Sequence, residues 1–178
     1  YIASTLIAHA DISRELVRLF RTRFYLARKL SPADLEEMQH KLEQAILNAL
    51  DNVAVLNEDR ILRRYLDLIK ATLRTNYYQP DAEGETKDYL SLKFDPSAIP
   101  ELPLPRPMFE VFVYSPRVEG VHLRGGKVAR GGLRWSDREE DYRTEVLGLV
   151  KAQQVKNAVI VPVGAKGGFV PRRLPVGG

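Results

Sequence analysis

Lys166 is the residue whose surroundings point most clearly to chemistry, because only small residues flank it. Residues 164–168 read Gly-Ala-Lys-Gly-Gly. Glycines leave room for a ligand to approach both the ammonium group and the backbone N–H groups. Other cations nearby would favour loss of the lysine proton, and a neutral amine can act as a general base. Lys166 is therefore a candidate catalytic residue; the alternative is that the glycines form a tight turn and the lysine is solvated.

Two further basic residues could join Lys166 around one ligand. Arg130 is followed by two glycines, and Lys156 lies three residues after Gln153, near the end of a predicted helix and on the same face. Cations that come from separate elements suit a small dianion, because each carboxylate accepts charge-assisted hydrogen bonds. These residue types indicate a site for a small dianion such as a dicarboxylate, although each lysine taken alone could simply be solvated.

The sequence argues against several other kinds of site. It has no cysteine, which excludes disulfides, thiolate nucleophiles and Cys-ligated metals. Its histidines at positions 9, 40 and 122 are scattered, so we expect no metal site and a structural role for His122. Glycine rather than serine or threonine follows Lys166, so the stretch is not a Walker loop. No G-x-G-x-x-G follows a predicted strand, and we expect no cofactor-binding residues in this chain.

Composition separates the chain into two parts. Of its 178 residues, the first hundred carry 14 basic and 15 acidic side chains, whereas the remainder carries 13 and 8. Eleven of the 12 glycines lie from Gly120 onward. No apolar run approaches the ~18–20 residues that cross a bilayer, and no signal peptide is evident, so we expect a cytoplasmic protein without a membrane partner. Because the chain begins at Tyr1, we interpret it as part of something longer.

The N-terminal part is predicted to be helical. Apolar residues recur at three- and four-residue steps over about 12–30, 35–53 and 62–73. Ser31-Pro32 is expected to begin the second helix with an N-cap serine, and Asn57 is the expected N-cap of the third. We assign residues 1–80 to a helical segment. Residues 81–107 follow as a proline-rich connector with a short strand at 89–94.

Residues 108–178 are predicted to mix strands with one helix. Residues 108–115 are rich in β-formers, and Gly125-Gly126 should join 121–124 to 127–130 in a hairpin. Ser136 and Glu139 form a predicted capping box that opens a helix reaching about Asn157. A buried strand over 159–163 should then lead into the glycine-rich turn at Lys166. The fold class is therefore mixed α/β, with a helical segment preceding the first part of an α/β domain.

Three stretches, taken in order, resemble the glutamate dehydrogenase family. The family shows a K-G-G-L-R stretch, a helix carrying Gln and Lys, and a Pro–Gly-rich–Lys-Gly-Gly loop. Here they correspond to residues 130–134 (RGGLR), 153–158 (QQVKNA) and 162–168 (PVGAKGG). The sequence from Phe109 to Phe169 is similar to that of the large-subunit, NAD-specific bacterial enzymes. The resemblance implies that residues 108–178 begin a substrate-binding domain of the glutamate dehydrogenase type, and that the helices belong to a long N-terminal extension.

The resemblance also implies a role for each candidate residue. Lys166 would be the catalytic lysine that activates water and handles protons around iminoglutarate. Lys156, with Gln153 beside it, would bind the α-carboxylate, and Arg130 would bind the distal carboxylate. Gly131 and Gly132 would keep the backbone close to the substrate. Two departures stand out: Arg130 replaces a lysine of the family, and the loop before Lys166 is shorter than the usual Pro-x-Gly-Gly-x-Lys.

The function implied is NAD-dependent oxidative deamination of L-glutamate to 2-oxoglutarate and ammonia, in amino-acid catabolism. NAD would be bound by a domain outside this chain, so the fragment alone should be inactive. The full-length enzyme would be a homo-oligomer without a nucleic-acid partner. An alternative is an anion- or nucleic-acid-binding module that uses the basic C-terminal half, although acidic residues interrupt that half. A further possibility gives the helices of residues 1–80 a regulatory or assembly role.

Overall fold

The computed structural model describes residues 1–127, 129–156 and 164–173, and of residues 153–156 it describes the backbone alone. The described residues form five α-helices and a six-stranded sheet. Within these ranges, no helix combines the length and the apolar character that a membrane crossing requires. The chain divides into two compact units, Tyr1–Lys70 and a second unit that begins at Ala71.

The first unit consists of helices. They are α1 (Ile2–Ala8), α2 (Ala10–Phe24), α3 (Pro32–Leu50) and most of α4 (Leu56–Ala71). Ser31 is the N-cap of α3 as predicted, since its hydroxyl accepts a hydrogen bond from the Asp34 N–H at 3.2 Å. Apolar residues from α2, α3 and α4 form the core of this unit, as the stripes in the sequence predicted: Ile12, Leu16, Leu19, Ile46, Leu50, Leu62 and Leu66.

The prediction that Asn57 is an N-cap was wrong. Helix α4 begins at Leu56, so Asn57 is already its second residue. The reason lies in the backbone: the Asp59 N–H donates to the Val55 carbonyl at 2.9 Å, and this bond starts the helical ladder before Asn57.

The helical segment ends earlier than residue 80. Helix α4 stops at Ala71, and β1 (Thr72–Thr75) pairs antiparallel with β2 (Leu90–Phe94). The side-chain amide of Asn76 holds the loop that joins them, since it accepts a hydrogen bond from the Ser91 N–H at 2.7 Å and donates to the Tyr89 carbonyl at 3.0 Å. The proline-rich stretch therefore lies inside the second unit, between two neighbouring strands, and the boundary along the chain falls between Lys70 and Ala71.

The second unit is built on one mixed sheet, which confirms the α/β fold class. Its remaining elements are β3 (Phe109–Tyr114), β4 (Val118–Arg124), β5 (Leu133–Trp135), α5 (Tyr142–Lys156) and β6 (Ala165–Pro171). The strand order is β1-β2-β3-β4-β6-β5, and among these described strands only the β5–β6 pair is parallel. Helix α5 lies in the crossover that a parallel pair requires. The strands predicted over 89–94 and 108–115 are confirmed.

The hairpin predicted at Gly125-Gly126 does not form. Strand β4 pairs with β3 along one edge and with β6 along the other, so β4 has no free edge for a hairpin partner. The Gly125 N–H donates instead to the Gly164 carbonyl at 3.0 Å. Strand β6, which is distant in the sequence, thus pairs with β4 where the double glycine predicted residues 127–130 to pair.

The capping box predicted at Ser136 and Glu139 is also wrong, because α5 begins only at Tyr142. The Ser136 N–H donates to the Phe169 carbonyl at 2.8 Å, which holds Ser136 on the path of the sheet. Its hydroxyl accepts from the Arg138 N–H at 3.1 Å, so the serine organises a turn before the helix. Helix α5 then packs on the sheet through a core of Val121, Leu123, Tyr142, Val146, Leu147, Val150 and Val170.

Candidate functional site

Lys166 lies within strand β6 and not in a turn, which corrects the sequence-based prediction. Its residue pairs with Leu123 of β4 in the antiparallel ladder. On the other side of the strand, the Gly167 N–H donates to the Gly132 carbonyl at 3.0 Å. Strand β6 is therefore hydrogen-bonded along both edges, and the backbone of Lys166 is fixed in the interior of the sheet.

The glycines after Lys166 are explained by close packing around the strand. A Cβ at Gly167 would lie 2.4 Å from Cδ2 of Leu133, and a Cβ at Gly168 would lie 2.5 Å from Cγ2 of Val146. The first contact comes from β5 and the second from α5. The small residues near Lys166 thus allow a neighbouring strand and a helix to approach β6.

Strand geometry places Lys166 on the face of the sheet that α5 covers. Side chains alternate along a strand, so Lys166 shares a face with Val170, which belongs to the core beneath α5. Its cross-strand partner Leu123 is in the same core. The side chain of Lys166 is half-buried.

The structure brings the 130–132 segment directly alongside Lys166. Arg130 forms a parallel bridge with Gly164, and the Ala165 N–H donates to the Arg130 carbonyl at 3.0 Å. At Gly131 a Cβ would lie only 1.1 Å from the Ala165 carbonyl oxygen, so no other residue type fits this backbone. These contacts bring together two of the three motifs that the sequence singled out.

The third motif is described in part. Helix α5 extends through Gln153 and Lys156, but the two side chains and the predicted helix end at Asn157 lie outside the described residues. The strand predicted over 159–163 also falls outside them. Lys156 is the last described residue of the helix that covers the Lys166 face of the sheet.

Glu145 is a residue of this region that sequence reasoning missed. Its carboxylate accepts from Arg134 Nε at 2.8 Å and from the Ser136 hydroxyl at 2.9 Å. A second carboxylate, Glu110 of β3, accepts two hydrogen bonds from Arg143, at 2.6 and 2.7 Å. That bidentate contact raises the pKa of the Arg143 guanidinium. Ser136 did stand out in the sequence, but its acidic partner lies nine residues away instead of three.

The opposite face of the sheet carries His122 and Trp135. Burial, together with the charge of Arg124, lowers the pKa of the His122 imidazole. Trp135 is 60% exposed, and its ring centroid lies 6.0 Å from that of Phe169. Within the described ranges, no three His, Cys, Asp or Glu side chains are grouped so that they could hold a metal ion.

Comparison with known proteins finds relatives along the whole chain. It is 83% identical over 178 residues to the NAD-specific glutamate dehydrogenase of Pseudomonas aeruginosa, which matches all of this chain. It is 66% and 54% identical, over 177 residues or 99% of the chain, to the proteins of the same name from Halomonas elongata and Mycobacterium tuberculosis. The chain spans 11% of the length of each of these relatives.

A family model described as the catalytic domain of bacterial NAD-glutamate dehydrogenase matches residues 45–178. The match begins within α3, so it includes α4 and β1 as well as the region from residue 108 that we expected to begin the catalytic domain. Because the match covers more than half of the chain, the chain belongs to the bacterial NAD-glutamate dehydrogenase family.

Proposed function

We propose that the protein containing this chain catalyses the NAD-dependent oxidative deamination of L-glutamate to 2-oxoglutarate and ammonia. Family membership and the names of the relatives support the reaction. The observation that best supports the proposed site is the pairing of residues 130–132 with 164–167, because Arg130 then lies next to the strand of Lys166. Neither the relatives nor the described residues favour the alternative of a nucleic-acid-binding module.

In this proposal Lys166 is the general base of the reaction. NAD, when bound, would supply the acceptor for the hydride of the α-carbon, and the amino group releases one proton to solvent as iminoglutarate forms. Lys166 takes a proton from the water that attacks iminoglutarate and returns it to the amino group of the carbinolamine, so that ammonia leaves as the carbonyl forms. The fixed backbone of β6 supports this role, because a base must be held within hydrogen-bond reach of the proton it removes.

The remaining candidates bind the two carboxylates. Arg130 binds the distal carboxylate, and Lys156 with Gln153 binds the α-carboxylate. Gly132, beside which a Cβ would meet nothing within 4 Å, lets the substrate approach the backbone, and Gly131 keeps this segment close to β6. Arginine offers a bidentate fork where a lysine offers a point charge, so the distal contact is geometrically stricter here. NAD is bound by a part of the protein outside residues 1–178. We further propose that the full-length enzyme acts as a homo-oligomer in cytoplasmic glutamate catabolism.

The test is substitution in the full-length enzyme. We expect Lys166→Ala to lower kcat by about 100- to 10,000-fold, the contribution typical of a general base, with NAD binding unchanged. Lys156→Ala should act mainly by raising the KM for glutamate. The matched control is Lys151→Ala, an exposed lysine on the same helix, which should leave both constants unchanged. Near-normal turnover by the Lys166→Ala enzyme would contradict the proposal.

A further inference from the structure

Glu145 joins the two elements that carry the proposed substrate-binding residues. It lies in the first turn of α5, and its side chain is 15% exposed. One carboxylate oxygen accepts from Arg134 at 2.8 Å and the other from Ser136 at 2.9 Å. Both carboxylate oxygens therefore accept hydrogen bonds from the segment that forms β5 and the turn after it.

The partners of Glu145 belong to the same paired segment as Arg130. Arg134 lies opposite Gly168 in the parallel β5–β6 ladder. The segment begins at Arg130, which forms a bridge with Gly164. It ends at Ser136, whose N–H donates to the Phe169 carbonyl. The contacts of Glu145 with Arg134 and Ser136 therefore attach α5 to the same β6 ladder on which the backbone of Arg130 is held.

The helix that carries Glu145 also carries Gln153 and Lys156. Lys156 lies eleven positions after Glu145 on the helix, a distance of about 16 Å at ~1.5 Å per residue. A small tilt at the first turn is therefore magnified at the end where Lys156 lies. Arg143, two residues before Glu145, separately holds the helix to β3 through Glu110, so removing the Glu145 carboxylate should leave α5 folded on the sheet.

We propose that Glu145 is a positioning residue for glutamate binding, an inference that rests on the proposed function. It acts through Arg134 and Ser136 and sets the distance between Arg130 on one element and Lys156 on the other. The two cations must match the separation of the two carboxylates of one substrate. Lys166 depends less on Glu145, because β4 and the 130–132 segment hold its strand.

The experiment compares steady-state kinetics of full-length variants. We expect Glu145→Ala to raise the KM for glutamate by about 10- to 100-fold, since misplacement of a binding group by about 1 Å has effects of this size. The kcat should change less, and the KM for NAD should stay the same. Ser136→Ala should act in the same direction but more weakly. Glu145→Gln can still bond to both partners and should restore much of the affinity for glutamate.

The matched control is Asp141→Asn, which breaks the exposed Arg138–Asp141 ion pair just before α5 and should leave the kinetics unchanged. A KM for glutamate in Glu145→Ala within about twofold of this control would overturn the inference. Equal losses for Glu145→Ala and Glu145→Gln, with the KM for NAD rising in parallel, would also overturn it, because they indicate a general structural role. If Lys166→Ala is inactive while Glu145→Ala resembles the control, the proposed function stands and the positioning role fails.

Discussion

Neighbouring glycines around Lys166 differ in what a side chain would meet. At Gly131 the obstacle is the backbone carbonyl of Ala165, which cannot move without disturbing the ladder of β6. At Gly167 and Gly168 the obstacles are the side chains of Leu133 and Val146. At Gly132 nothing lies within 4 Å of the position of a Cβ. Adjacent glycines of one motif are therefore under different constraints.

This difference yields a prediction for Gly131→Ala. The added methyl group would overlap the Ala165 carbonyl, and the 130–132 segment must separate from β6 at a cost of about 3 kcal/mol. Hydrogen exchange of the full-length enzyme should show faster exchange over 164–170. The control is Gly132→Ala, whose methyl group enters open space and should leave this exchange unchanged. Equal protection in the two variants would mean that the close approach at Gly131 is wrong.

At the scale of elements, α5 begins with a buried tyrosine whose ionisation is influenced by two acidic residues. Tyr142 is 7% exposed. Its burial, followed by the charges of Glu119 and Glu110, raises the pKa of the phenol from 10.0 to about 12. The folded state therefore disfavours the phenolate more than the unfolded chain does, so folding keeps the proton on Tyr142 above pH 10.

The sign of the resulting pH dependence follows from linkage. A pKa that folding raises contributes stability that is complete below pH 10 and is lost as the pH rises from 10 to about 12. We expect the unfolding temperature of the full-length enzyme to fall over this range. In Tyr142→Phe the fall should be shallower, because phenylalanine does not ionise. Identical slopes for the two proteins would show that the phenol is not buried as described.

Local signals in the sequence predicted where helices and strands form better than they predicted which strands pair. Ser31 was recognised as a cap because its bond to Asp34 spans only three residues. The double glycine at 125–126 predicted a hairpin, but β4 pairs with β6, whose residues lie some 40 positions later in the chain. Turn chemistry describes what the backbone can do locally, whereas the choice of a strand partner depends on contacts that no local pattern reveals.

For the candidate site, the sequence likewise indicated which residues to consider but not the structure around them. Residue types and small neighbours identified Lys166 and Arg130, and the structure does place their segments side by side. The strand conformation of Lys166 was missed, because glycines that admit neighbouring elements look like glycines that make a turn. Glu145 was missed because nothing in the sequence around it indicates its two partners, which lie on another element.

At the scale of the whole molecule, the described residues include two hydrophobic cores, one in each compact unit. Leu19, at 2% exposed, belongs to the helical core, and Leu123, at 0%, belongs to the core between α5 and the sheet. Each core is assembled from elements of its own unit. A cavity in one core should therefore weaken mainly the elements that surround it.

Paired core substitutions would test this division. Replacing a buried leucine by alanine typically costs about 2–5 kcal/mol. In the full-length enzyme, Leu123→Ala should speed hydrogen exchange in β3, β4 and β6, and protection of α2 and α3 should persist. Leu19→Ala should give the reverse pattern. If either variant loosened both units to the same degree, the cores would have to be one cooperative structure.

The placement of Lys166 inside a strand has a consequence for how sequence change could affect it. Consecutive side chains of a strand point to opposite faces of the sheet. Inserting or deleting one residue next to Lys166, with the ladder to β4 kept in place, would move the amine from the face beneath α5 to the face that carries Trp135 and His122. A loop could accommodate such an insertion or deletion by changing its path, whereas in β6 the lysine would move to the other face of the sheet. The number of residues in this stretch is therefore constrained as strictly as their identity.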